Sequence, residues 1–182
     1  MRRPLFAAAC LLALSACDRP KPRPTVPPPP QAAPPPGQAP GGSAAAAPEA
    51  TPLSAGLKRL GPATGFYLDQ VGEAVDPVNK PPAVTSSAAP LTIIGFAFDQ
   101  ARRAPAGGVD VVLDGTPRPA TYGQPRPDVA AYFKAPALTN VGFNVSLPPG
   151  ALPAGPHRIA LRVIAADGAG YYETPEIAFT VR

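Results

Sequence analysis

Leu91-Thr92-Ile93-Ile94-Gly95-Phe96-Ala97-Phe98 is apolar almost throughout, interrupted only by Thr92. Such a run predicts a central β-strand covered on both faces. The segments around it keep the two-residue period of half-buried strands. Val109, Val111 and Leu113 alternate with Asp110, Val112 and Asp114, and the run stops at Asp114-Gly115, a hairpin-turn signal. Phe143, Val145 and Leu147 alternate with Asn144 and Ser146 before Pro148-Pro149-Gly150. Ile159, Leu161 and Val163 alternate with Arg158, Ala160 and Arg162, and Ile177, Phe179 and Val181 close the chain after the Asp167-Gly168 turn.

Gly65-Phe66-Tyr67-Leu68-Asp69 reads as the opening strand, and Asp128 to Phe133 is the one helical candidate. The chain is therefore predicted to be all-β, with about seven short strands in a single antiparallel β-sandwich spanning residues 63–182. The final strand is expected to sit inside a sheet.

Ahead of that domain the composition changes. Of the 30 prolines, 13 fall between Pro20 and Pro52. A Pro-rich polar tract buries too little apolar surface to offset its ordering entropy, so residues 17–62 are expected to be a disordered stalk rich in Pro, Ala and Gly. Its RPKPRPTVPPPP portion favours polyproline II.

Before the stalk, Arg2-Arg3 precede an apolar stretch from Leu5 to Leu14, too short to span a bilayer. Leu14-Ser15-Ala16-Cys17 follows, and this order resembles the signal of bacterial lipoproteins. The resemblance implies that residues 1–16 are a signal peptide and that Cys17 is lipidated, tying the protein to a membrane. Two or three acyl chains give stable anchoring where one is marginal. The implied location is the cell envelope, facing away from the cytoplasm. Asp18 resembles the inner-membrane retention signal of enteric bacteria.

The formal charge is +4, and without Arg2 and Arg3 it is 14 basic against 12 acidic residues, or +2. The basic residues form no stripe with interleaved aromatics, which argues against a nucleic-acid partner. Once the leader is removed with Cys10, Cys17 is left alone, so no internal disulfide is expected. The absence of Trp, and of a second Cys once the leader is removed, argues against an antibody-type Cys…Trp…Cys core.

Several blocks are more specific than composition requires. They are Gly95-Phe96-Ala97-Phe98-Asp99, Tyr122-Gly123-Gln124-Pro125-Arg126-Pro127-Asp128-Val129, Gly142-Phe143 and Leu152-Pro153-Ala154-Gly155-Pro156-His157. Together they resemble an immunoglobulin-like β-sandwich domain of bacterial envelope proteins, over roughly residues 64–182. Phe96 stands where that family more often has Trp. The resemblance implies a fold and an extracytoplasmic setting, and no reaction.

Two readings of the second block stay open. In one it is a structural clamp: Asp128 caps the following helix and Arg126 pairs with Asp99 or Asp128. In the other, Tyr122, Arg126 and Asp128 form a ligand platform for a carbohydrate or a partner protein.

His157, the only histidine, is expected to be a strand-end residue bonded to backbone. Asp99, Asp110, Asp114 and Asp167 are conceivable Ca²⁺ ligands, but without D-x-D-x-D spacing they read better as turn-forming carboxylates. Tyr132-Phe133 and Tyr171-Tyr172 suit either sugar stacking or cross-strand packing.

No nucleophile elbow or phosphate-binding loop is present, and the sequence implies no cofactor, no metal and no catalytic residue. The functional expectation is a non-enzymatic binding or interaction module, with an envelope protein or glycan as partner. The alternatives are a structural accessory subunit of an envelope complex, a carbohydrate-binding module and an unrecognised enzyme.

Overall fold

The computed structural model describes residues 50–63 and 65–182. The leader, Cys17, Asp18 and the Pro-rich tract through residue 49 lie outside the described residues. The rest is all-β with two sheets. In chain order come β1 (Lys58–Pro62), β2 (Phe66–Val71), β3 (Ala74–Val75), β4 (Ala83–Thr85), β5 (Leu91–Asp99), β6 (Ala104–Pro105) and β7 (Gly108–Leu113). Next are β8 (Thr116–Pro119), β9 (Thr121–Gln124), a short helix α1 (Pro127–Tyr132) and a 3-10 segment Pro136–Asn140. The chain finishes with β10 (Gly142–Leu147), β11 (Gly155–Ile164), β12 (Gly170–Glu173) and β13 (Ile177–Val181).

The first sheet is built on β11, whose ten residues are long enough to take different partners along one edge. One side pairs with β7, which forms a hairpin with β8. The other side pairs with β13 over its first half and with β12 over its second. The Asp114-Gly115 signal marks the β7–β8 hairpin, and both residues take positive φ (48° and 84°), as a two-residue type I′ turn demands.

The second sheet runs β3-β2-β5-β10-β9, with β6 on the end of β5. The diagnostic apolar strand is therefore its central member, flanked antiparallel by β2 and β10.

The inner faces close on one core. Val109, Val111, Ile159, Leu161 and Val163 come from the first sheet, and Leu68, Ile93, Ala97, Phe143 and Val145 from the second. Gly95 makes this packing possible. A Cβ there would lie 2.2 Å from the Tyr67 carbonyl and 2.9 Å from Phe143 Cζ, so the absent side chain leaves room for the Phe143 ring.

Three expectations are corrected. The sandwich is not purely antiparallel, because β1 pairs parallel with β12 and β4 pairs parallel with β13. Among the described residues the strands number thirteen rather than about seven, although seven of them (β1, β2, β5, β7, β10, β11 and β13) have five residues or more. Finally, the folded part begins before residue 63. Residues 58–62, assigned to the stalk, are strand β1 on the sheet edge. Just before them, the Leu53 and Ser54 amides donate to the fully buried Asp110 carboxylate at 3.0 and 2.7 Å. Two backbone donors are what keep a carboxylate tolerable at that depth.

Candidate functional site

A second, smaller cluster lies on the outer face of the second sheet. The outward residues of β5 include Phe96 and Phe98, and the chain from β9 to β10 covers them. Phe98, Val129, Leu138 and Val141 are buried together there, with Phe96, Tyr122 and Phe133 packed against them. The predicted helix is present, and Pro127 at its first positions sets φ where a missing N–H costs nothing. It anchors through buried Val129. The central strand is thus covered on both sides only over its C-terminal half.

Arg126 crosses this face. In the β5–β10 ladder Phe96 stands opposite Gly142, and a Cβ on Gly142 would lie 3.0 Å from Arg126 Cγ. The glycine lets the arginine stem lie flat, with its guanidinium 5.1 Å from the Phe96 ring centroid. Arg126 Nε donates to Asp128 Oδ1 at 2.9 Å and Nη2 to Oδ2 at 2.7 Å, a bidentate pair. Nη1 donates to Asp69 Oδ2 at 2.6 Å. Asp69 is the residue left over where the β2–β5 register shifts between Leu68 and Gln70. Such an irregularity re-aims a side chain.

The three ionised groups therefore brace β2, the β9–α1 loop and α1 together. The hydrogen bond from Arg126 holds the Asp128 carboxyl below its usual range, and Asp128 in turn raises the guanidinium pKa.

Beside this brace lies an open groove of about 520 Å³, bounded by Phe66, Tyr67, Phe96, Val129, Tyr132 and Phe133 with the charged trio at its rim. Tyr67 and Phe96 stack with centroids 6.2 Å apart, and Phe133 meets Phe96 edge-on at 6.4 Å. Tyr132 stands edge-on to Phe133 and is 81% exposed. Tyr67 is held at its hydroxyl by Asp76 and by Asn79 Nδ2 at 2.8 Å.

Two expectations about these residues are corrected, for Tyr122 and for Asp128. Tyr122 is not displayed to a ligand: its hydroxyl donates to the Ala97 carbonyl at 2.8 Å and accepts from the Ala106 amide at 2.9 Å. Burial pushes its pKa up to about 12. Of the two partners expected for Arg126, Asp128 is the one it pairs with, and Asp99 is not. Asp99 is fully buried and takes the backbone amides of Arg102 and Ala166 and the Arg102 side chain instead. Asp128 is not the cap: it sits in the first turn of α1, whose N-cap residue Arg126 makes no side-chain cap bond, although the Val129 and Asp128 amides help to lower the Asp128 carboxyl.

The other acidic candidates hold turns. Asp114 joins His157 and the Arg158 amide. Asp167 pairs with Arg102 and accepts from the Ala169 amide. His157 bonds to the Pro153 carbonyl, as expected, and also to Asp114. The sequence reading missed Asp69 and Phe96 as site members. Their only signal was Asp69 closing the first apolar strand and Phe96 standing where Trp is commoner.

Comparison with known families and with curated proteins finds no match for this chain. Fold and groove define its class: an all-β domain with an aromatic groove braced by one arginine and two aspartates.

Proposed function

We propose that this chain is a lipid-anchored protein of the bacterial cell envelope. Cys17 carries the anchor, the Pro-rich tract is the stalk, and the immunoglobulin-like domain recognises an envelope partner without catalysis. The observation that carries the reading is the braced groove: a concave apolar floor with fixed polar groups at its rim is the usual form of a recognition site. The exposed Tyr132 supports it, since its ring lines that groove and adds aromatic surface open to a ligand. The lipobox order Leu14-Ser15-Ala16-Cys17 supports the address.

The test is photo-crosslinking of the full acylated chain in its own envelope, with the reactive residue placed at Tyr132 or, as control, at exposed Val75 on β3. Recognition at the groove gives discrete adducts from position 132 and none from 75. Equal labelling at both positions defeats the groove, and membrane retention of a Cys17→Ser variant defeats the anchor.

A further inference from the structure

Resting on that reading of the groove, we propose that its ligand is a neutral glycan, bound through the C–H face of one pyranose ring with its hydroxyls on the Arg126 brace.

Size is the first argument. A groove of about 520 Å³ matches small-ligand sites, which span roughly 300–1,000 Å³. A stable protein partner needs about 800 Å² of surface from each side, far more than this depression offers.

Floor chemistry is the second. Tyr67 and Phe96 lie nearly parallel, 20° apart, while Phe133 stands edge-on to Phe96 at 74° and Tyr132 edge-on to Phe133 at 80°. The walls thus present ring faces in more than one direction, which suits a saturated ring whose C–H bonds point up and down. Tyr132, 81% exposed and in T-shaped contact with Phe133, has ring surface free for such a ligand.

The rim is the third argument, and it selects against charge. A guanidinium free to bind an anion would leave its donors unengaged. That of Arg126 already gives Nε, Nη1 and Nη2 to two carboxylates. With two carboxylates to one guanidinium the trio is net negative, so a phosphate or uronate would be repelled. What remains is a mixture: two of the five guanidinium N–H groups, and unfilled acceptor positions on Asp69 and Asp128, whose side chains are 35% and 62% exposed. A hydroxyl donates and accepts at one atom, and adjacent ring hydroxyls present that pattern repeatedly. Because the brace spans three elements, these groups are oriented before the ligand arrives, which lowers the ordering cost of binding.

The experiment titrates the full chain carrying Cys17→Ser with oligosaccharides of bacterial surfaces, neutral and uronate-containing, and follows amide chemical shifts. Neutral glycans are expected to shift residues 126–133 saturably, with uronates about tenfold weaker or worse, as one like-charge contact implies. Tyr132→Ala leaves the core untouched and is expected to weaken binding about tenfold. Asp128→Asn should narrow the gap between neutral and acidic glycans. Failure of every neutral glycan, or equal binding of uronates by the unaltered domain, overturns the proposal. If glycans fail while position 132 crosslinks to an envelope protein, the glycan falls and the recognition reading survives. If both fail, both fall.

Discussion

Arg126 Nη1 donates a 2.6 Å hydrogen bond to Asp69 Oδ2 across 57 residues of sequence, while its Nε and Nη2 hold Asp128 two residues away. A local pair and a distant one share a single guanidinium, so the loop before α1 is fastened to β2 by one side chain. The arginine is only 20% exposed, which takes the pair out of the class of weak surface ion pairs.

Arg126→Ala is therefore expected to destabilise the domain by about 1.5–3 kcal/mol, the range for losing hydrogen bonds to charged groups. Arg126→Lys should recover only part, since an ammonium cannot reproduce the fork. Denaturant titration of both variants measures this. Equal stability of wild type and Arg126→Ala would show that the brace does not hold the loop.

Tyr122→Phe removes the partner of two backbone groups at once, the Ala97 carbonyl and the Ala106 amide. The expected cost is about 1–3 kcal/mol, with no effect on ligand binding because the hydroxyl faces away from any ligand. Thermal denaturation paired with a binding titration separates the two. A binding defect at full stability would return Tyr122 to the site.

His157 is buried against Phe179, with Nδ1 2.7 Å from Asp114 Oδ2 and Nε2 2.8 Å from the Pro153 carbonyl. Burial lowers its proton affinity, but the bonds to Asp114 and Pro153 outweigh that and its pKa lies above 6.5. A raised folded pKa contributes stability that is fully present below the unfolded value of about 6.5 and is lost as pH climbs through the folded value. Denaturation midpoints should fall across that window, and His157→Gln should flatten the slope. A wild-type profile already flat there would contradict the doubly bonded ring.

Asp110→Ala takes away the acceptor for the Leu53 and Ser54 amides and leaves both donors near the core. The segment preceding β1 should then exchange its amide hydrogens rapidly and become open to protease, while the β7–β11 ladder stays protected. Unchanged protection at residues 53 and 54 would mean that β1 alone secures this end.

Gly95→Ala drives a methyl to within 2.2 Å of the Tyr67 carbonyl. Backbone cannot yield as a side chain can, so a loss of about 1–3 kcal/mol or more is expected from overpacking. A variant as stable as wild type would show that β2 and β5 separate easily.

Strand periodicity in the sequence marked β7, β10, β11 and β13, because alternation is a local property of a half-buried strand, and a nearly unbroken apolar run marked β5. Asp114-Gly115 likewise encodes its turn, since few residues tolerate two successive positive φ values. The motif around Arg126 was also visible as one that exceeded its composition, with the helix after it. What Leu14-Ser15-Ala16-Cys17 says about an anchor rests on the sequence alone.

Only the tertiary structure decided the rest. β1 has no apolar period because it is an exposed edge strand, held by backbone pairing to β12 and by Asp110, which holds the amides of Leu53 and Ser54 just before it. The parallel pairings have no local signature, for their partners are remote in the chain. Tyr122 and Asp69 exchanged roles for the same reason. Which tyrosine turns inward, and which aspartate a register shift aims at an arginine 57 residues away, depends on how two sheets and a helix meet. Local pattern fixes which faces are apolar; the identity of each neighbour is a property of the closed fold.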